Sequence, residues 1–180
     1  MFGQFNNLTV RNAAAEDADL LSAWWNDGKI MAHAGFPDGT GETPLCIARK
    51  ISEDVEGICR RLIIEYDRIP IGEMSYFNVG NDTAEIGIKI CDFSKQGKGY
   101  GKIYLSMLIR CLFSKYGYKK IILDTNLNNT RAQHVYETLG FRKIRVKNNS
   151  WKNQFGELQS SVDYELVEEN FNDFSIINKQ

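Results

Sequence analysis

The sequence predicts a mixed α/β domain in which antiparallel hairpins are joined to one parallel crossover. Apolar alternation with period two marks three consecutive strands between residues 60 and 91, separated by the tight turns "DRIP" and "GND". Leu105, Leu108, Ile109, Leu112 and Tyr116 then fall on one helical stripe. The strand "KKIILDT" follows that helix, so the helix acts as a crossover and favours parallel pairing. A chain of 180 residues is long enough to bury one core, and it is read as a single domain spanning 1–180.

Each remaining element has its own signature. "NLTVRNA" reads as a short first strand. In "AEDADLLSAWWND", Leu20, Leu21, Trp24 and Trp25 form a helical stripe, and acidic residues occupy the first turn, where the helix dipole favours them. "GKIMAHAGFPDGTGETP" is rich in glycine and turn residues and reads as a loop. Thr43 before Pro44 makes an N-cap with proline at the first helical position, opening a short helix to about Ser52. The strands "RRLIIEY", "IPIGEMSYFNV" and "TAEIGIKIC" follow; in the last, Ala84, Ile86, Ile88 and Ile90 point one way and Glu85, Gly87, Lys89 and Cys91 the other. Past the crossover, "NNTRAQHVYETLGF" puts Ala132, Val135, Tyr136 and Leu139 on one helix face, with Gly140 as the stop. "FRKIRVK" and "SSVDYELV" make the last two strands, and the polar tail after Glu169 is expected to fray.

Composition narrows the function classes. A formal net charge of −1 gives no global field for nucleic acid or an anionic membrane, and neither is expected as a partner. Cys46, Cys59, Cys91 and Cys111 form no CxxC pair, and with only His33 and His134 beside them no metal site is expected. Nothing at the start resembles a secretory signal, and no apolar run approaches the roughly 18 residues that span a bilayer. Reduced, buried thiols in a cytoplasmic protein are the simplest reading.

The stretch "FSKQGKGYGKIYLSML" is a glycine turn opening a helix, and three phosphate-binding readings compete for it. A Walker loop fails because Gln96 stands at the first glycine and Ile103 replaces the metal-binding hydroxyl. A dinucleotide fingerprint fails because Lys102 falls at the third glycine. Q-x-x-G-x-G fits, spelled by Gln96, Gly99 and Gly101. Glycines there let backbone N–H groups close on an anion, the helix N-terminus adds positive potential, and Lys95, Lys98 and Lys102 raise it further.

A second constellation, Asn129, Ala132, Tyr136, Gly140 and Phe141, spells N-x-x-A-x-x-x-Y-x-x-x-G-F. Together the two motifs resemble the GNAT superfamily of acetyl-CoA-dependent N-acyltransferases, over about Thr83 to Phe141 and with the surrounding element order. The resemblance implies a central mixed, mostly antiparallel sheet of about six to seven strands with helices on both faces. It implies acetyl-CoA as co-substrate, with Gln96, Gly97, Lys98, Gly99, Tyr100, Gly101 and Lys102 at the pyrophosphate. The strand Ile86 to Cys91, including Ile88 and Ile90, would pair with the pantetheine arm and offer N–H groups to the thioester carbonyl. Asn129 would contact the pantetheine region, and Tyr136 would act as general acid and also touch the cofactor.

A general base is also needed, and several carboxylates compete. "DTNLNNTRA" resembles the D-x-x-x-x-N-x-R-A stretch of aminoglycoside 6′-N-acetyltransferases, which favours Asp124; Glu73 is second, and Glu85 and Asp92 come next. Tryptophan followed by Asn26 and Asp27 resembles the branch holding ribosomal-protein N-terminal and aminoglycoside acetyltransferases. There the first helices and their loop wall the acceptor cleft, which implies Trp24, His33 and Phe36 as substrate-side residues; Glu85, on the strand before the glycine turn, is taken as a further one. The expected acceptor is a small-molecule amine or a peptide N-terminus, and the expected assembly a homodimer. A catalytically silent acyl-CoA-binding module is the alternative, since it would keep the glycine turn without needing Tyr136 or a base.

Overall fold

The computed structural model describes residues 3–176. Its strands are β1 (Gly3–Phe5), β2 (Leu8–Asn12), β3 (Cys59–Tyr66), β4 (Ile69–Asn78), β5 (Thr83–Ile90), β6 (Lys120–Asn126), β7 (Arg142–Lys152) and β8 (Leu158–Val167). The helices are α1 (Ala18–Trp25), α2 (Gly28–Met31), α3 (Pro44–Ser52), α4 (Tyr100–Ser114) and α5 (Thr130–Thr138). All strands lie in one sheet ordered β1-β2-β3-β4-β5-β6-β8-β7, and only β5 and β6 pair in parallel.

The alternation of β3 shows how the sheet takes helices on both faces. Leu62 and Ile64 join the core under α4 and α5, with Tyr104, Leu108, Tyr136 and Leu139. Ile63, between them, turns to the other face and packs with Leu21 of α1 and with Ile47 and Ile51 of α3. Proline and threonine open α3 as expected, the Thr43 hydroxyl accepting the Cys46 N–H at 3.3 Å.

Four expectations need correction. Among the described residues the strand count is eight, because β1 is only three residues long and too short to show a period; it is held by pairing with β2 across a turn with Asn6 at φ 53°. The segment read as a loop contains α2 and a 3₁₀ turn, Ala32–Ala34, because Asp27 caps the Lys29 N–H at 2.8 Å and Met31 is buried. The tail packs beyond Glu169: Asn172 donates to Leu139 O at 3.0 Å, Phe174 N–H donates to Ser106 Oγ at 3.0 Å, and Phe171 and Phe174 rest on the core. Among the cysteines only Cys91 is fully buried; Cys46 is exposed. The last residues of the expected frayed tail lie outside the described residues.

One irregularity sits at the end of β5 away from the parallel pair. The β3–β4 register shifts after Ile64, and Ile71 O accepts the N–H groups of both Cys91 and Asp92, at 2.8 and 3.0 Å. A Cβ on Gly72 would stand 2.1 Å from Lys89 O, so the close approach of β4 to β5 requires glycine there.

Candidate active site

The site begins where the sheet opens. β5 and β6 pair only at Thr83–Lys120, Ala84–Ile121 and Glu85–Ile122, although β5 runs on to Ile90 and β6 to Asn126. The diverging ends flank a cavity of about 860 Å³, lined by Ile86 to Ile90 on one side and by Asp124, Thr125 and Asn126 on the other. Val79 N–H bonds Thr83 O, and Cys91 N–H bonds Ile71 O. By the alternation of an antiparallel ladder, odd-numbered residues of β5 therefore bond β4, while Ile86, Ile88 and Ile90 turn their N–H and C=O groups toward the opening. Cys91, expected among the cofactor-side residues, is corrected on this ground: its N–H is committed to β4 and it does not line the cavity.

The glycine turn closes one end. Asp92 caps the 3₁₀ turn Phe93–Lys95 by accepting the Ser94 N–H at 2.8 Å, and hydrogen bonding from the Ser94 hydroxyl, with a smaller part from this N–H, holds its carboxyl below the usual range. Gly97 and Gly99 adopt φ of 73° and 79°, which residues with a Cβ rarely do, and Gly99 is the N-cap of α4. Gly101 is different: a Cβ there would meet only Ile90 Cδ1, at 3.8 Å, so the protein itself does not demand glycine. The first N–H groups of α4 have no intrahelical partner and lie along this open surface.

Side chains of the turn do less than their charges suggest. Lys95 Nζ lies 3.8 Å over the Tyr66 ring and Lys102 Nζ 4.5 Å over the Phe174 ring. Tyr100 packs on Tyr66 at 5.2 Å between centroids, and a hydrogen bond with Tyr66 raises its hydroxyl pKa. Lys98 is exposed and does not line the cavity, contrary to expectation. Gln96 is a bridge: its Nε2 donates to Ile90 O at 2.7 Å, and its Oε1 accepts from Arg131 Nη2 at 2.6 Å.

Arg131 is the residue that sequence reasoning quoted but did not assign. It lies in the first turn of α5 and lines the cavity, and it makes no ion pair among the described residues. A cation at the positive end of a helix is unfavourable by about 0.3–1 kcal/mol, a cost that an anion in the cavity would offset. Asn129 caps the same helix, its Oδ1 accepting the Ala132 N–H at 3.2 Å, and lines the cavity as well.

Tyr136 and Asp124 both line the cavity, the tyrosine from the core face of α5 and the aspartate from β6. Tyr136 is 7% exposed, packed against Phe141 and Tyr164, and its hydroxyl has no hydrogen-bond partner among the described residues. Burial, helped by the charge of Asp124, pushes its pKa up to about 12, so the hydroxyl keeps its proton at neutral pH. Asp124 is open to solvent through the cavity, yet crowding by protein raises its carboxyl pKa; Lys147 opposes that rise and Asp163 adds to it. Burial pushes the Cys91 thiol up to about 12, which makes it a poor nucleophile.

Glu73 does not line the cavity. It is 8% exposed, on the sheet behind Lys89, whose Nζ it binds at 3.0 Å. Three expected substrate-side residues are also elsewhere. Trp24 packs with the α1–α3 cluster, Phe36 is 41% exposed outside the cavity, and Glu85 lines a separate recess of about 350 Å³ that it shares with Asp124 and Asp163. His33 does reach the far end, together with Lys29, Ile30 and Ala34. Trp151 of β7 joins them, which nothing in its local sequence signals. The β7–β8 hairpin brings it there. Gln154 donates its N–H to Gly35 O (2.8 Å) and its Nε2 to Gly39 O (3.1 Å), and its Oε1 accepts the Asp38 N–H (2.9 Å).

Comparison with known proteins places this geometry. The chain is similar to the uncharacterized protein MJ1062 of Methanocaldococcus jannaschii, with 33% identity over 151 residues. That stretch is 83% of this chain and 31% of the relative, so the chain spans about a third of the relative's length. Spermidine N-acetyltransferase from Vibrio cholerae, solved with CoA and spermine, superposes with a TM-score of 0.81 at 20% identity, over 91% of this chain and 97% of that one. The ribosomal-protein-S5-alanine acetyltransferase of Vibrio fischeri gives 0.80 at 17% identity, over 94% and 98%. Those likenesses concern the fold. The family itself is shown by sequence: residues 7–142 match the Acetyltransferase (GNAT) domain, a span that contains the diverging strands, the glycine turn and most of α5's surroundings, and the chain therefore belongs to that family.

Proposed function

We propose that this chain transfers the acetyl group of acetyl-CoA directly to a primary amine, with Asp124 as general base and Tyr136 as general acid. One observation carries the reading: a protonated, unpartnered tyrosine hydroxyl and a carboxylate of raised pKa face the same cavity where β5 and β6 diverge. The turn end suits a pyrophosphate, since Gly97, Gly99 and Gly101 leave room beside the orphan N–H groups of α4 and Arg131 has no anionic partner among the described residues. The thioester supplies the activated acetyl group. The chain's residues do the rest. N–H groups of β5 that face the opening polarise the carbonyl oxygen. Asp124 accepts the amine proton as the C–N bond forms, directly or through water. Tyr136 donates its proton to the sulfur as the C–S bond breaks, and the two protonation changes reset against solvent.

A cytoplasmic homodimer is part of the same reading, supported by four free thiols and by the assembly expected from the resemblance; sedimentation velocity tests the dimer. The chain is treated as one transferase domain. Thermal shift in parallel with acetyl-CoA, ATP and NAD tests the donor, because a ligand of the native state raises apparent stability. Stabilisation by acetyl-CoA with CoA-thiol release on adding amines is expected. Stabilisation by ATP alone would contradict the donor assignment, and CoA binding without turnover on any amine would favour a silent binding module.

A further inference from the structure

The far end of the cavity carries a charge pattern that the proposed chemistry leaves unused. Among the described residues Asp124 is the one carboxylate lining the cavity, against Lys29, Lys89, Lys102 and Arg131. Lys102 and Arg131 belong to the turn end, and Lys89 is neutralised by Glu73. Lys29 remains. It sits exposed on the short helix α2, makes no ion pair among the described residues, and lines the cavity with His33 and Trp151, the Ala32–Ala34 turn lying close to β6. Besides Asp124, two acidic groups of the adjoining recess are paired with cations, and the third, Glu85, exposed and in no ion pair among the described residues, lines that recess and not the cavity. Asp163 is bound by Arg145 at 3.0 Å and Lys147 at 2.8 Å, and Glu165 by Arg142 at 2.7 Å and Lys120 at 3.6 Å. Within the cavity itself a polycation would meet one carboxylate among the described residues, already needed for proton transfer, and an ammonium without an ion pair.

We infer that the acceptor is an amine that also carries an anionic group, phosphate or carboxylate, which Lys29 binds while the amine faces Asp124 and the body of the molecule rests on Trp151. Lys29 is here a specificity residue rather than a catalytic one. The irregular register of β7 between Lys147 and Trp151, with Asn149 at φ 48°, turns the indole toward the cavity, and Gly35 makes room for it: a Cβ there would lie 2.5 Å from the ring. A planar wall beside a cation is suited to a rigid or ring-bearing acceptor. The inference rests on the acetyltransferase reading of the same cavity and adds the charge of its second ligand.

The test uses the whole chain saturated with CoA, so that the phosphate sites of the turn are filled. CoA binding is measured first by calorimetry; its failure would count against the acetyltransferase reading itself. Ethanolamine, phosphoethanolamine, β-alanine and spermidine are then titrated at low salt. The expected result is that an anionic member binds about five- to tenfold more tightly than ethanolamine or spermidine, the scale of one charge-assisted contact, and that added salt narrows the gap. The two anionic probes separate phosphate from carboxylate recognition. Lys29→Glu should reverse the order in favour of spermidine while leaving CoA affinity unchanged; the side chain is exposed, so the variant should fold. CoA binding with spermidine preferred, with no preference, or with no binding of either anionic probe at millimolar concentration would overturn the inference, as would an order unmoved by Lys29→Glu.

Discussion

At the glycine turn the cavity wall is backbone, and at the opposite end it is side chains. The turn end comes from one continuous stretch, Asp92 to Lys102, with Asn129 and Arg131 of α5 closing over it. Its shape depends on φ values and on N–H groups left over at a helix start, properties that short local sequence specifies. The far end is assembled from α2, the 3₁₀ turn after it and β7, which meet only because Gln154 pins the β7–β8 hairpin to residues 35–39. Backbone sites tolerate exchange of most neighbouring side chains. Side-chain sites can be re-cut without disturbing the donor, which suits a family whose members share a fold and differ in acceptor.

That contrast can be broken by substitution. The largest effect is expected between the two ends, at Asp124. Asp124→Asn should lower turnover by about a hundredfold or more, within the usual range for a lost general base, with CoA affinity unchanged. In the wild type the acid limb of the rate profile should lie above the ordinary carboxylate range, because partial desolvation raises this pKa, and the limb should vanish in the variant. A carboxyl whose folded pKa exceeds its unfolded one stabilises the fold at low pH and loses that contribution as pH rises through the folded value. Asp124→Asn should therefore be more stable than wild type at neutral pH, with the difference closing in acid. A variant less stable at neutral pH would show that the carboxylate is structurally paired instead.

Next in size is Gly101→Ala at the turn end. The added Cβ meets no close protein atom and replaces a helical glycine, so the apo protein should gain about 0.5–1 kcal/mol. CoA affinity should nonetheless fall by about tenfold, because the methyl intrudes where the backbone must approach an anion. Lower stability together with unchanged CoA binding would show that this glycine serves packing alone. At the far end, Trp151→Ala should raise the acceptor KM several-fold, roughly the loss of one aromatic contact, and leave CoA affinity alone. Smallest is Glu73→Gln, expected to change turnover by less than about threefold, since the buried carboxylate pairs with Lys89 and does not line the cavity. A loss matching that of Asp124→Asn would restore Glu73 as the base.

The same contrast explains what the sequence made legible. Strands β3 to β6, the crossover and the caps of α3 and α5 follow from period, proline and glycine, all of them local. Gly97, Gly99 and Gly101 were legible for the same reason. Glu73 was misread because alternation tells that it shares a face with Ser75 but not that Lys89 stands between it and the cavity. Trp24 reads from the sequence as either core or cleft, because one stripe holds both, and only the docking of α3 decides between them. Trp151 depends on a register irregularity and a hairpin contact more than a hundred residues away in sequence, and no window of sequence contains that information.

The central claim, that one cavity binds the donor by its backbone and completes the reaction through Tyr136, is tested most directly by Tyr136→Phe. The measurement is turnover and CoA affinity on the same preparation. The ring stays in the core beside Phe141 and Tyr164, so folding should be retained. Turnover reduced by about a hundredfold, as for a missing general acid, with CoA affinity within about twofold of wild type, is the predicted result. Unchanged turnover, or turnover and CoA affinity falling together, would contradict it.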